Sequence, residues 1–143
     1  MSDSDPLPTS GARPQASQDD VGRNSRSFNT RAVGASAEDA AADYLVALGY
    51  SIIERNYRIR CGEIDCIARD KNGTLVFVEV KSARFASAGH PFFWVGPAKQ
   101  RTLATVARQY LATHPGNTGG CRFDVIALFN GTIEHLRNAF LAR

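Results

Sequence analysis

Gly62–Lys81 reads GEIDCIARDKNGTLVFVEVK, and the way its two halves pair decides the fold. Both halves are rich in β-branched and apolar residues and flank Lys71-Asn72-Gly73, a hairpin signal. Two registers compete. A two-residue Asn72-Gly73 turn puts Asp65 and Glu79 on opposite faces, because a one-residue slip turns every side chain over. A three-residue loop, in which a type I turn is closed by a left-handed glycine, needs its Gly at the third place, where Gly73 stands. The sequence predicts this second register. Asp70 then faces Thr74, Ile67 faces Phe77 and Asp65 faces Glu79, with opposed β-carbons roughly 5 Å apart.

Side chains alternate along a strand, so Phe77, Glu79 and Lys81 share one face and Val76, Val78 and Val80 the other. Charges are seldom buried unless paired or metal-bound, and directly opposed like charges repel. A divalent cation offsets such repulsion: Mg²⁺ is held by one or two carboxylates together with waters and phosphate oxygens. Lys81, one step along, is placed to orient or help deprotonate an attacking water, while the metal stabilises charge developing on a phosphate. The competing reading is a salt-bridged edge face of Glu79, Lys81 and Glu63. The hairpin alone weighs the two evenly, since structural charge clusters exist too.

Upstream, GASAEDAAADYLVALGY predicts a helix. Ser36 and Asp39 form a capping-box pattern, Ala37, Ala40, Ala41, Tyr44, Leu45 and Leu48 recur at helical spacing, and Gly49 suits the position that ends the helix. Glu38 sits in the first turn on the shoulder of the apolar face, where an acid also complements the helix dipole. A strand is expected from Ser51 to about Arg55, then a basic stretch with Arg55, Arg58 and Arg60. Downstream of Lys81, Arg84, His90, Phe92, Phe93 and Trp94 occupy a loop whose aromatics either stack on bases or clasp the core. Pro97 suits the first position of a second helix, which ends near His114-Pro115-Gly116. On it Lys99 is in line with Leu103, Val106 and Tyr110, whereas Arg101 and Arg108 face outward. Arg122 and Asp124 share a face of the next strand and pair most simply with each other. Asn130-Gly131 makes a tight turn into a closing strand.

The chain of 143 residues suits one domain and is 43% hydrophobic, enough for a core. Residues 1–33, rich in Ser, Pro, Asp, Gly and Asn, read as a disordered tail, and the domain as 34–143. No apolar run approaches the roughly 20 residues of a membrane span, and no signal-peptide pattern is visible, so a cytoplasmic protein is expected. Cys61, Cys66 and Cys121 lack metal or disulfide spacing and read as small core residues. The net charge of +3 leans weakly toward a polyanionic partner. A hairpin, a helix and a further strand, preceded by a helix, make a three-layer α/β fold with a mixed sheet.

Asp65 followed by Glu79-Val80-Lys81 resembles the PD-(D/E)xK signature of restriction endonucleases and archaeal Holliday junction resolvases, with Ile64 in place of the proline. More closely, the chain resembles the YraN family of uncharacterised bacterial proteins. The matching stretches are GASAEDAAADYL, GY, ERNYR, GEIDCIA, VFVEVK, RFDV and IEHLRNAF. The resemblance implies a restriction-endonuclease-like three-layer fold with helices flanking a mixed central sheet. It implies Mg²⁺ or Mn²⁺ held by Asp65 and Glu79, a helix-borne acid at Glu38 and a water-orienting Lys81. The expected activity is endonucleolytic hydrolysis of DNA, including branched or structured DNA. The alternatives are a non-catalytic nucleic-acid-binding module on the same fold and, third, a partner protein with an acidic salt-bridged surface. Nucleic acid, DNA ahead of RNA, is the expected partner, contacted by Arg55, Arg58, Arg60, Arg84, Lys99 and Arg101; no membrane is expected. A homodimer is expected by analogy with the resolvases.

Overall fold

The computed structural model describes residues 23–27, 36–83, 95–129 and 131–141. Its elements run β1 (Arg23–Ser27), α1 (Ala37–Ala47), β2 (Ser51–Ile59), β3 (Gly62–Arg69), β4 (Leu75–Ala83), α2 (Pro97–Thr113), β5 (Cys121–Phe129) and β6 (Thr132–Phe140). They build one mixed sheet in the order β1-β6-β5-β4-β3-β2. Every neighbouring pair is antiparallel except β4 and β5. Those two are parallel because α2 carries the chain across between them. This is the expected three-layer α/β fold.

The hairpin takes the three-residue register. Ile67 pairs with Phe77 and Cys66 with Val78, and Asp70 N–H donates to the Thr74 carbonyl at 3.0 Å. Gly73 N–H donates to the Asp70 carbonyl at 3.1 Å, and Gly73 closes the loop at φ +89°. Asp70 Oδ1 accepts from the N–H groups of Asn72 and Thr74 at 2.8 and 2.9 Å, an Asx-type brace on the turn. A β-carbon on Gly73 would meet nothing within 4 Å. Gly73→Val should therefore cost only the backbone penalty of a left-handed L-residue, roughly 1–2 kcal/mol. A urea midpoint equal to that of the wild type would refute the left-handed closure.

Both helices form where capping chemistry places them. Ser36 Oγ accepts from Asp39 N–H at 3.0 Å and Asp39 Oδ2 from Ser36 N–H at 3.4 Å, which completes the capping box. At the other end Gly49, at φ +97°, lets its own N–H reach Val46 and that of Tyr50 reach Leu45, a Schellman close. α1 packs Ala41, Tyr44 and Leu45 against Cys66, Ala68, Val76, Val78, Ile126 and Ile133. α2 packs Leu103, Val106, Ala107 and Tyr110 against Ile64, Ile67, Leu75, Phe77, Phe123 and Val125 on the other face. Each fully buried Leu, Ile or Phe contributes roughly 1.5–3 kcal/mol.

Four expectations need correction. The tail is not without structure to Val33: Arg23–Ser27 pairs with β6. Backbone hydrogen bonding to an open strand edge requires no apolar side chains, so polar composition does not forbid it; the rest of residues 1–33 lies outside the described residues but for the backbone of those five. β2 runs to Ile59 rather than stopping near Arg55, because Tyr57 and Ile59 pack against the α2 side of the core. Cys66 is buried, but Cys61 and Cys121 are exposed. Cys61 falls in the two-residue connection between the paired Ile59 and Gly62, and Cys121 stands at the solvent-facing start of β5. Finally, alternation fails in β3: Ile64 and Ile67 face α2 while Cys66 and Ala68 face α1. The slip falls at Asp65.

Candidate functional site

The slip has a partner across the ladder. Arg55 pairs with Cys66 and Tyr57 with Ile64, which leaves Asn56 abreast of Asp65. Asn56 is left-handed, at φ +55°, a conformation Asn tolerates better than most residues. Arg55 bonds Asp39 on α1 while Tyr57 packs toward α2, so the side-chain faces exchange in both strands at this point. Strain of this kind gathers at functional positions.

Asp65 is turned by the slip into the plane of the ladder. Its Oδ2 accepts the Val80 N–H at 2.8 Å, where a regular ladder would offer Val80 the Ile64 carbonyl. Regular pairing of the two strands therefore ends at Cys66 and Val78, one pair short of the expected Asp65–Glu79 pair. The two carboxyl groups nonetheless act on each other, the charge of Asp65 bearing directly on Glu79. Glu79 lies on the α2 side of β4, an interior strand, and is 6% exposed; Asp65 is 9% exposed. Burial raises both above the ordinary carboxylate range, and the charge of Asp65 raises Glu79 further. Two lysines oppose this. Lys81 Nζ and Lys99 Nζ each stand 3.5 Å from Glu79 Oε2, one from the same strand and one from the first turn of α2.

The arrangement is neither an edge face nor a surface cluster, since β4 is flanked by β3 and β5 and both acids are buried. Glu63 is not part of it as a partner of Lys81; it receives Arg58 at 2.7 Å. Among the described residues, no three Asp, Glu, His or Cys side chains stand together to hold one ion. The donor set is thus a pair of carboxylates, which fits Mg²⁺ or Mn²⁺ binding in which waters and phosphate oxygens complete the shell. Glu38 lies in the first turn of α1, half-buried, on the layer opposite α2, where its charge acts on Arg55.

The basic candidates divide. Arg55 is held by Asp39 at 2.7 Å and Arg58 by Glu63, so both arrive partly neutralised. Arg60 is exposed in the β2–β3 turn. Arg101 is exposed on α2 and borders a groove of about 500 Å³ with Pro97, Ala104, Phe140 and Leu141; neither carboxylate lines it. Arg84, His90, Phe92, Phe93 and Trp94 lie outside the described residues, as does Asn130 of the expected closing turn. The sequence missed three contributors: Val80, which acts through its backbone, Asn56, and the direct contact of Lys99 with Glu79. Only the position of Lys99 on the inward side of α2 signalled any of them.

A second polar cluster lies on the α1 side. Arg122 binds Asp124 through Nε at 2.9 Å, as the sequence predicts, and also binds Asp70 at 2.7 Å and the Tyr50 hydroxyl at 2.8 Å. Asp124 Oδ2 also meets His135 Nε2 at 2.7 Å, and His135 Nδ1 meets the Tyr44 hydroxyl at 3.1 Å. Burial pushes Asp124 upward, but the hydrogen bonds and charges of His135 and Arg122 outweigh it and hold Asp124 below its ordinary value. Tyr44, Asp124 and His135 are buried, so the cluster works within the core.

The chain has sequence relatives over most of its length. The family model described as "Uncharacterised protein family UPF0102" matches residues 37–128. A UPF0102 protein of Ralstonia nicotianae is 52% identical, over 76% of this chain and 86% of that protein. One from Chlorobium phaeobacteroides is 43% identical over 80% and 98%, and one from Symbiobacterium thermophilum 49% identical over 79% and 99%. The matched span holds both strands of the acidic pair and the whole of α2.

Proposed function

We propose, from the premise that this chain belongs to the uncharacterised protein family UPF0102, that its domain is a divalent-metal-dependent endonuclease acting on DNA, including branched or structured DNA. The observation that carries the reading is the carboxyl pair Asp65–Glu79, buried on interior strands and attended by two lysines. A pair built only for stability would be expected to bring its own full complement of hydrogen bonds; here burial works against both acids.

Asp65 and Glu79 would hold Mg²⁺ or Mn²⁺, which supplies Lewis-acid stabilisation of charge on the scissile phosphate when bound. Asp65 is fixed by the Val80 N–H through one of its two oxygens. Lys81, on the same face of β4 as Glu79, would orient the attacking water and hold its lone pair toward phosphorus. Arg60, Arg101 and Lys99 would contact flanking phosphates, with Arg55 and Arg58 contributing less because their charges are already matched. Glu38 enters the proposal as a helix-borne acid, and Glu38→Gln is its separate test: unaltered cleavage would leave it the role of a dipole partner.

A second reading, a nucleic-acid-binding module without catalysis, is favoured by one feature. Lys81 and Lys99 by themselves balance the charge of the two carboxylates. The two readings are separated by incubating purified protein with branched and linear DNA and RNA in Mg²⁺, Mn²⁺ or chelator. Cleavage that needs metal supports the nuclease. Cleavage that persists in chelator overturns it, and binding without cleavage across the panel favours the module instead. Duplex affinity should fall with salt by about 0.9 in log–log slope for each phosphate neutralised, and a slope near zero would remove the basic surface from the proposal.

A further inference from the structure

Lys99 is a cation in an unfavourable place. It is the third residue of a 17-residue helix whose first turn contains no acid and whose N-cap, Gly96, provides no side-chain hydrogen bond. The positive end of the helix dipole lies there, and a lysine at that end is disfavoured. What meets its charge is Glu79, at 3.5 Å from the other side of the layer, and its charge acts on Asp65 as well. Lys81 has the same distance to the same oxygen, but it is tied to Glu79 through its own strand. Lys99 reaches across from a different element, and its side chain is 40% exposed. Glu79 Oε2 therefore carries two ammonium groups, one of them able to turn outward without moving a strand.

We infer that Lys99 is an exchangeable counter-ion: it occupies Glu79 in the metal-free protein and turns to a substrate phosphate when a divalent cation takes that carboxylate. The inference rests on the metal-dependent reading of the Asp65–Glu79 pair and adds a coupling to it. In the metal-free site two carboxylates and two ammoniums balance. A divalent cation leaves the site with an excess of two positive charges, and Lys99 then has no anion of the site to hold it. A phosphodiester, with its single negative charge, takes up half of that excess, and the uncapped N-terminus of α2 next to Lys99 offers backbone N–H groups of the same sign. Metal affinity and phosphate affinity are thereby linked through one side chain, and linkage is reciprocal.

The test is titration of Mn²⁺ into wild type, Lys99→Gln and Arg108→Gln by calorimetry, with duplex DNA affinity measured by anisotropy in chelator and in Ca²⁺, so that no cleavage is needed. Arg108 is exposed on the same helix and has no part in the site; its loss controls for net charge. Lys99→Gln should bind Mn²⁺ tighter, by roughly two- to fivefold, the worth of a half-exposed ion pair. It should also lose most of the gain in DNA affinity that metal brings to the wild type. Arg108→Gln should do neither. Equal Mn²⁺ affinity in wild type and Lys99→Gln overturns the exchange while leaving the metal site standing. Tighter Mn²⁺ binding with the DNA gain intact overturns the transfer to phosphate. A wild type that binds no Mn²⁺ overturns the metal site and the exchange together.

Discussion

Asp65→Asn is expected to abolish metal-dependent cleavage while the protein stays as stable as the wild type or becomes more so. Asn keeps an oxygen to accept the Val80 N–H, the bond that closes the ladder at 2.8 Å. It presents an amide N–H to Glu79, in place of a second acid. The sign of the stability change follows from the raised position of both carboxyls. A folded-state pKa above the unfolded one means that stability declines as pH climbs from the ordinary carboxylate range through the raised values. Asp65→Asn removes that decline, so its gain should appear at neutral pH and vanish in acid. Losing one essential group commonly costs on the order of 10²–10⁴ in rate. Lys81→Ala should also abolish cleavage yet leave Mn²⁺ binding largely in place. Single-turnover cleavage and thermal melts at neutral and acid pH, on wild type and both variants, check these outcomes. Cleavage by Asp65→Asn at the wild-type rate would end the nuclease reading.

The largest loss of stability should come from the opposite face of the sheet. Asp124 receives Arg122 Nε, His135 Nε2 and the Asn138 N–H, the last at 3.0 Å. An ionised carboxylate only accepts, so His135 Nε2 donates to it, and Nδ1 on the far side of the ring meets the Tyr44 hydroxyl. Asp124→Ala leaves a core histidine, a mostly buried guanidinium and a strand N–H without their anion. Breaking a buried charged network by removing one partner costs about 3–5 kcal/mol. Asp124→Asn, which keeps an acceptor but not the charge, should cost less. The pH dependence runs opposite to that of the acidic pair. Asp124 and Asp70 are both held below their ordinary value: burial pushes each upward, and the hydrogen bonds from His135 and Arg122 to Asp124, and from Arg122, Thr74 and Asn72 to Asp70, outweigh it. Their contribution is therefore present above the ordinary carboxylate range and lost as pH falls through the lowered folded values. Urea unfolding between neutral pH and acid should show the wild type losing stability with acid more steeply than Asp124→Ala. A loss under about 1 kcal/mol in Asp124→Ala would mean that the cluster is a bystander.

What could be read in the sequence was local. Gly73 at the third loop position settles the hairpin register, because left-handed closure is a property of that residue alone. Ser36 with Asp39, Gly49 and Pro97 mark the helix ends for the same reason. Arg122 and Asp124, two apart on one strand, had to share a face. What could not be read depends on distant docking. The Tyr44–His135 hydrogen bond spans 91 positions, and Lys99 reaches Glu79 only once α2 has settled on the sheet. The exchange of faces at Asn56 and Asp65 was hidden for another reason. Strict alternation is the assumption behind every register argument, and a single left-handed Asn is compatible with either outcome. The polar strand β1 left no apolar pattern to detect.

That kink in β2 reaches beyond the site. β2 is the outermost strand at its end of the sheet, the position at which a stray chain would dock by strand addition. Its ladder slips between Ile52 and Glu54, its backbone turns left-handed at Asn56, and Arg55 and Arg58 stand along its exposed side. An incoming strand would lose register within a few residues and meet guanidinium groups on the way. The irregularity that turns Asp65 inward thus also makes this rim a poor template for edge-to-edge strand addition.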